Sequence, residues 1–126
     1  MLAIDTNVLI RLLVRDDEKQ VKLADKFIAK GAWVSHLVLA EALWVLDSVY
    51  SLSAARLIEA LSLLLAHESL VLQDADTVSA ALTHFKSKPA LGFSDCLVLE
   101  IARKAGYVPL ATFDKALSKL ANTQKL

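Results

Sequence analysis

Cysteine occurs once, at Cys96, which excludes an intrachain disulfide and any metal cluster built on several thiolates, so a reducing, cytoplasmic setting is expected. Charge of one sign is also missing. Fourteen basic and fourteen acidic residues cancel, so no long-range positive field points to nucleic acid, although a local groove on a neutral protein can still be positive. Nothing encodes a sequence-reading module with aromatic platforms. The start lacks the basic segment and long uncharged apolar run of an export signal, and "LVLAEALWVL" at 37–46 is too short and too interrupted to span a bilayer. The expectation is a soluble intracellular protein with no membrane partner.

What is abundant is apolar material. With 56% hydrophobic residues in 126, the chain can bury one substantial core and is too short for two ordinary domains, so 1–126 reads as a single domain. No repeat, linker or low-complexity tract interrupts it.

Short apolar runs at 2–4, 32–34, 70–73 and 109–112 read as strands, with a weak fifth in "TQKL" at the end; Pro109 fits only at a strand start because it lacks an amide donor. Helical periodicity lies between them. Val8, Leu9, Leu12 and Leu13 mark the first helix; Val21, Ala24, Phe27 and Ile28 mark the second, opened by Asp17 with Gln20 and stopped by Gly31. Ser35 is placed to cap a helix over 36–49, and Ser51 or Ser53 another with Leu57, Ile58, Leu61, Leu64 and Leu65 inward. Helices near 76–86 and 95–105, the latter beginning after Ser94, are separated by "KSKPALGF", and Asp114 starts a final short one. Short strands alternating with helices imply an α/β fold, a parallel sheet with helices on both faces.

Four acids stand at positions where this architecture forms sites, although Asp95 and Asp114 also suit ordinary helix starts. Asp5 follows the first strand and Asp114 follows the strand at 110–112, at the edge where open α/β sheets form ligand sites. Asp95 falls in the first turn of its helix, where unpaired amides favour an ionised carboxylate, although an ordinary helix-start acid looks the same. Glu41 is the only non-apolar residue from Leu37 through Leu46, with Leu37, Trp44 and Val45 as its helical neighbours, so burial is expected and with it a positive partner or a metal. Asn7 adds a neutral amide beside Asp5, and Thr112 can orient Asp114 or a water; Thr6 can cap the first helix. Gathered together, four carboxylates repel, and a hard cation, Mg²⁺ or Mn²⁺, relieves that repulsion. Zinc does not fit, because His36, His67 and His84 lack ligand spacing and read as surface or core-edge residues.

On these residues the chain resembles the PIN-domain ribonucleases, in particular the small toxins of VapBC-type toxin–antitoxin pairs. "DTNVLI" matches the motif of Asp5 and Asn7, "SHLVLAEALWVL" the helical acid Glu41, "FSDCLVLEIARKAG" the acid Asp95, and "LATFDKAL" Thr112 and Asp114. Four motifs in order across nearly the whole chain make the likeness specific. The resemblance implies a three-layer α/β/α fold with a mainly parallel four- or five-stranded sheet in the order 3-2-1-4-5, and a metal-dependent ribonuclease with Asp5, Glu41, Asp95 and Asp114 as catalytic metal ligands. It also implies a homodimer and a small cognate antitoxin. Arg11, Arg15, Lys86, Lys88 and Lys115 are candidates for RNA phosphate contacts, each with a solvated surface role as the plain alternative. Two competing functions are a noncatalytic nucleic-acid- or protein-binding domain, and a phosphoaspartate hydrolase. The second wants an acid two residues after Asp5, where Asn7 stands.

Overall fold

The computed structural model describes residues 1–126 in two compact units, Met1–Ala75 and Asp76–Leu126. In the first, β1 (Leu2–Ala3) leads into α1 (Thr6–Leu13) and α2 (Glu18–Ile28), then β2 (Ala32–Val34), α3 (His36–Ser48), α4 (Ala54–Ala66) and β3 (Leu70–Leu72). The three strands form a parallel sheet in the order β1-β2-β3, with Ala3 beside Trp33 and Trp33 beside Val71. Long helical crossovers are what allow parallel neighbours. The second unit holds α5 (Ala75–Ser87, whose first residue closes the first unit), a 3₁₀ turn at Pro89–Leu91, α6 (Phe93–Ala105), β4 (Leu110–Thr112), a 3₁₀ turn at Leu117–Lys119 and β5 (Thr123–Lys125). Here β4 pairs with β5, again parallel.

The expected single sheet in the order 3-2-1-4-5 is therefore corrected. The fold is α/β, but its strands make two sheets, one of three strands and one of two. A strand in the middle of a sheet pairs along both edges and is covered on both faces. Neither holds for β1, which is two residues long, exposed at both, and hydrogen-bonded only on the β2 side, where the Ile4 amide reaches the Trp33 carbonyl at 3.0 Å. Asp5 then turns the chain into α1 before further ladder groups become available. Covering on both faces also fails in the three-stranded sheet. Ala32, Val34, Leu70 and Leu72 are buried on one side, whereas Trp33 and Val71 on the other are exposed.

Helix starts follow side-chain chemistry. Asp5, Asp17, Ser35 and Ser53 each accept from the amide three residues on, at 3.2, 3.0, 3.1 and 3.3 Å, satisfying donors that a helix's first turn leaves open. Asp5, not Thr6, is thus the cap of α1. The start of α6 departs from expectation as well. Gly92 caps it with φ 78° and ψ 144°, a conformation open essentially to glycine alone, and the helix begins at Phe93 rather than after Ser94. The segment opened by Asp114 is only a 3₁₀ turn. No helix is long and apolar enough to cross a membrane.

Candidate active site

The first unit places Asp5, Asn7 and Arg11 on one cavity of about 600 Å³, whose opposite wall is α2 through Gln20, Leu23 and Phe27. The Asp5 carboxylate holds the Val8 amide through Oδ1 and is exposed, so it keeps accepting capacity toward the cavity. Asn7 is exposed, and its side chain has no partner in the fold. Arg11 donates through one terminal nitrogen to Asp16 and through the other to the Tyr50 hydroxyl at 3.2 Å; the Tyr50 bond and the acidic neighbours raise its pKa further above the usual arginine range. Arg15 is held by a two-pronged pair with Asp25, at 3.1 and 2.6 Å, and the Arg15 hydrogen bonds keep the Asp25 carboxyl below its usual range.

Glu41 corrects an expectation. Its apolar sequence neighbours imply burial, yet it is exposed. The apolar residues of α3 divide between two faces: Leu39, Ala42, Leu43 and Leu46 are buried, whereas Leu37 and Trp44, one turn to either side of Glu41, lie open at 76% and 63%. Glu41 belongs to that outward face and needs no buried counter-charge.

In the second unit Asp95 and Asp114 come within electrostatic reach of each other. The Asp95 carboxyl is raised above the usual range, first by burial and then by the like charge of Asp114. The helix start alone favours the opposite shift, so desolvation and repulsion outweigh it. Asp114 is fixed from both sides: Thr112 Oγ1 accepts the Asp114 amide at 3.0 Å, and Asp114 Oδ1 accepts the Leu117 amide at 2.8 Å. Thr112 thus orients Asp114 through its backbone. Next to Asp95, the Cys96 thiol is fully buried, and burial pushes its pKa up to about 11, which leaves it an inert core residue.

Each unit therefore carries two of the four expected acids, all exposed although Asp95 is partly desolvated at its helix start, and no group of three or more His, Cys, Asp or Glu side chains is gathered closely enough to hold one ion. His67 and His84 have local duties. His67 Nδ1 accepts the Ser69 amide at 3.1 Å and His84 Nε2 lies 3.2 Å from Glu100, whereas His36 donates only its backbone amide, to Gln73 Oε1, and its ring Nε2 is buried without a partner. Glu100, buried at 3% exposure, also accepts from Arg103 Nε at 2.8 Å. The buried acid of this chain is Glu100. Its signal in the sequence is the run "LVLEIAR", an acid among apolar residues with an arginine one turn later. Lys86, Lys88 and Lys115 are exposed and form no ion pair.

The model of the PIN domain family matches residues 2–123, across both units. Among solved structures the chain is similar to the crystal structure of Mycobacterium tuberculosis VapC20, described as a sarcin-ricin loop cleaving toxin, with 17% identity, 98% of this chain and 97% of that chain covered, and a TM-score of 0.44. No curated protein matches.

Proposed function

The chain belongs to the PIN-domain family, and on that premise we propose that it is a metal-dependent ribonuclease, the toxin of a toxin–antitoxin pair, which hydrolyses RNA phosphodiester bonds. The observation that carries this reading is the family match over residues 2–123, which takes in all four acids; Asp95 and Asp114, two carboxylates of one unit that feel each other's charge, support it. Like charges placed together without a basic partner favour a cation, and all-oxygen donors fit a hard one, Mg²⁺ or Mn²⁺. Asp95 and Asp114, both in the second unit, would hold it, and Asp5 and Glu41 are the two further acids that the family likeness assigns to the reaction.

When bound, a divalent cation there polarises a phosphate and lowers the pKa of water. The chain's own residues do the positioning. Thr112 and the Leu117 amide fix Asp114, the α1 amide fixes Asp5, and the unspent amide of Asn7 can hold a water or a phosphate oxygen without adding charge. Lys86, Lys88 and Lys115 are free to meet phosphates, whereas Arg15 is engaged by Asp25. Asn7 cannot serve as the leaving-group acid of a phosphoaspartate enzyme. The exposed apolar side chains Leu37 and Trp44 support a second copy as partner, and a small antitoxin completes the proposed assembly.

The test is total RNA incubated with wild type, Asp5→Asn and Glu41→Gln in Mg²⁺, Mn²⁺ or EDTA. Wild type is expected to cleave only with metal, leaving 5′-phosphate and 3′-hydroxyl ends, and both variants to lose nearly all cleavage while melting as folded proteins. Cleavage in EDTA, or undiminished cleavage by Asp5→Asn, refutes the mechanism. Absence of cleavage by wild type in every metal makes the domain a noncatalytic binder.

A further inference from the structure

We propose that the cavity between α1 and α2 is a nucleobase subsite, which takes one unpaired base of an RNA strand beside Asp5; the proposal rests on the ribonuclease reading. Size is the first argument. It is an open groove of about 600 Å³, a volume within the range of sites for small organic ligands.

The lining is the second. Leu23 and Phe27 line it from α2 and are exposed, at 63% and 38%, so an aromatic ring and an aliphatic chain stand ready for a flat apolar face. Asn7 and Gln20 stand on the same cavity with side-chain amides that bond to nothing else in the fold. The Gln20 backbone is committed to the cap of α2, but its amide group is not. Each primary amide offers donors and an acceptor on one planar end, the complement of a base edge. Arg11 brings a guanidinium, with Asp16 and Tyr50 using only two of its five N–H donors.

This combination decides between occupants. An apolar protein segment could cover Leu23 and Phe27, but it would strip water from two amides and a guanidinium without replacing their hydrogen bonds, which is costly. A base satisfies both parts of the lining, stacking on Phe27 while its edge meets Gln20 or Asn7. A base already paired in a duplex offers neither a free face nor a free edge, so the subsite selects single strands, loops or bulges. Asp5 lies on the same groove, so a base seated there sets its neighbouring phosphodiester near that carboxylate, two anions that only a cation draws together; without metal the base and not the phosphate anchors the strand. Phe27 and Gln20 are then specificity-determining residues, separate from the acids.

The experiment measures binding of the full chain to a fluorescent single-stranded RNA oligonucleotide and to an abasic ribose-phosphate strand of equal length, by anisotropy in EDTA so that no cleavage intervenes. Phe27→Ala is expected to weaken binding of the base-bearing strand about 10-fold, the loss of one stacked base, and to leave the abasic strand unaffected. Phe27→Trp is expected to retain binding. Gln20→Leu, at an exposed position with no side-chain bond to lose, is expected to weaken the base-bearing strand alone and decides the matter if Phe27→Ala fails to fold. Equal losses on both strands, or none on the base-bearing strand, overturn the subsite. A wild type that does not distinguish the two strands overturns it too, and makes the cavity a protein-docking surface. Cleavage of total RNA in Mn²⁺ by wild type against Asp5→Asn is scored in parallel, so loss of the subsite and loss of the ribonuclease reading give different results.

Discussion

At the scale of single residues, the most informative group is Asp95, because two causes act on it and one can be removed. Burial and the charge of Asp114 both raise its carboxyl above the ordinary value of 3.8. A carboxyl that binds its proton more tightly in the fold than in the unfolded chain favours the native state below pH 3.8, and that contribution is lost as pH rises through the raised value. At neutral pH the ionised pair therefore works against the fold. Asp114→Asn is expected to bring the Asp95 titration down part of the way only, since burial is the larger cause, while the capping oxygen of residue 114 is retained. Carboxyl carbon shifts followed by NMR over acid pH check this, and an unchanged Asp95 titration in Asp114→Asn rules out the coupling. Glu41 and Glu100 show what the sequence hides at this scale. Both are acids in apolar runs, but Glu41 faces out with Leu37 and Trp44, and Glu100 goes inside because Arg103 and His84 meet it there. An apolar neighbourhood in sequence does not fix which face of a helix turns inward. That depends on the packing partner.

Elements were the most legible level, because helix starts are set by short acceptors preceding periodic apolar runs. The caps at Asp17, Ser35 and Ser53 follow that rule. Gly92 was hidden by the same rule, since it caps through backbone conformation and offers no side chain, and the neighbouring Ser94 drew the expected start two residues late. Asp5 has two duties, capping α1 and carrying charge at the cavity, and substitution can separate them. Asp5→Ala removes both and is expected to cost about 1 kcal/mol of stability, the usual value of a cap. Asp5→Asn keeps a good capping group, so it is expected to lose cleavage at near wild-type stability. Denaturant midpoints of the two variants decide it. If Asp5→Asn is as unstable as Asp5→Ala, the charge and not the capping geometry sustains the helix start.

For the whole molecule, the pattern of residues gave the class and not the strand order. Strands of two or three residues carry too few alternating positions to specify their neighbours, so the single sheet rested on family likeness, and the chain instead pairs β1-β2-β3 and β4-β5 separately. Apolar abundance was equally ambiguous, because the same leucines can fill a core or face a partner. The structure divides them: Leu39, Leu43 and Leu46 of α3 are inside, and Leu37 and Trp44 of the same helix are outside. Leu37, Glu41 and Trp44 recur at i, i+4 and i+7 and so form one exposed stripe, with a large aromatic at one end. Exposed tryptophan is costly in water and is over-represented among the residues that dominate interfaces, where its loss removes about 2 kcal/mol or more, roughly 30-fold in dissociation constant. If the proposed homodimer uses Trp44 at the end of this stripe and leaves Glu41 open to the reaction, light scattering at micromolar concentration should report twice the monomer mass for wild type. Trp44→Glu should shift the population to monomer with an unchanged far-ultraviolet spectrum, because the side chain it replaces is 63% exposed and leaves no core cavity. A wild-type monomer at that concentration defeats the dimer, and a dimer that survives Trp44→Glu moves the interface elsewhere on the protein.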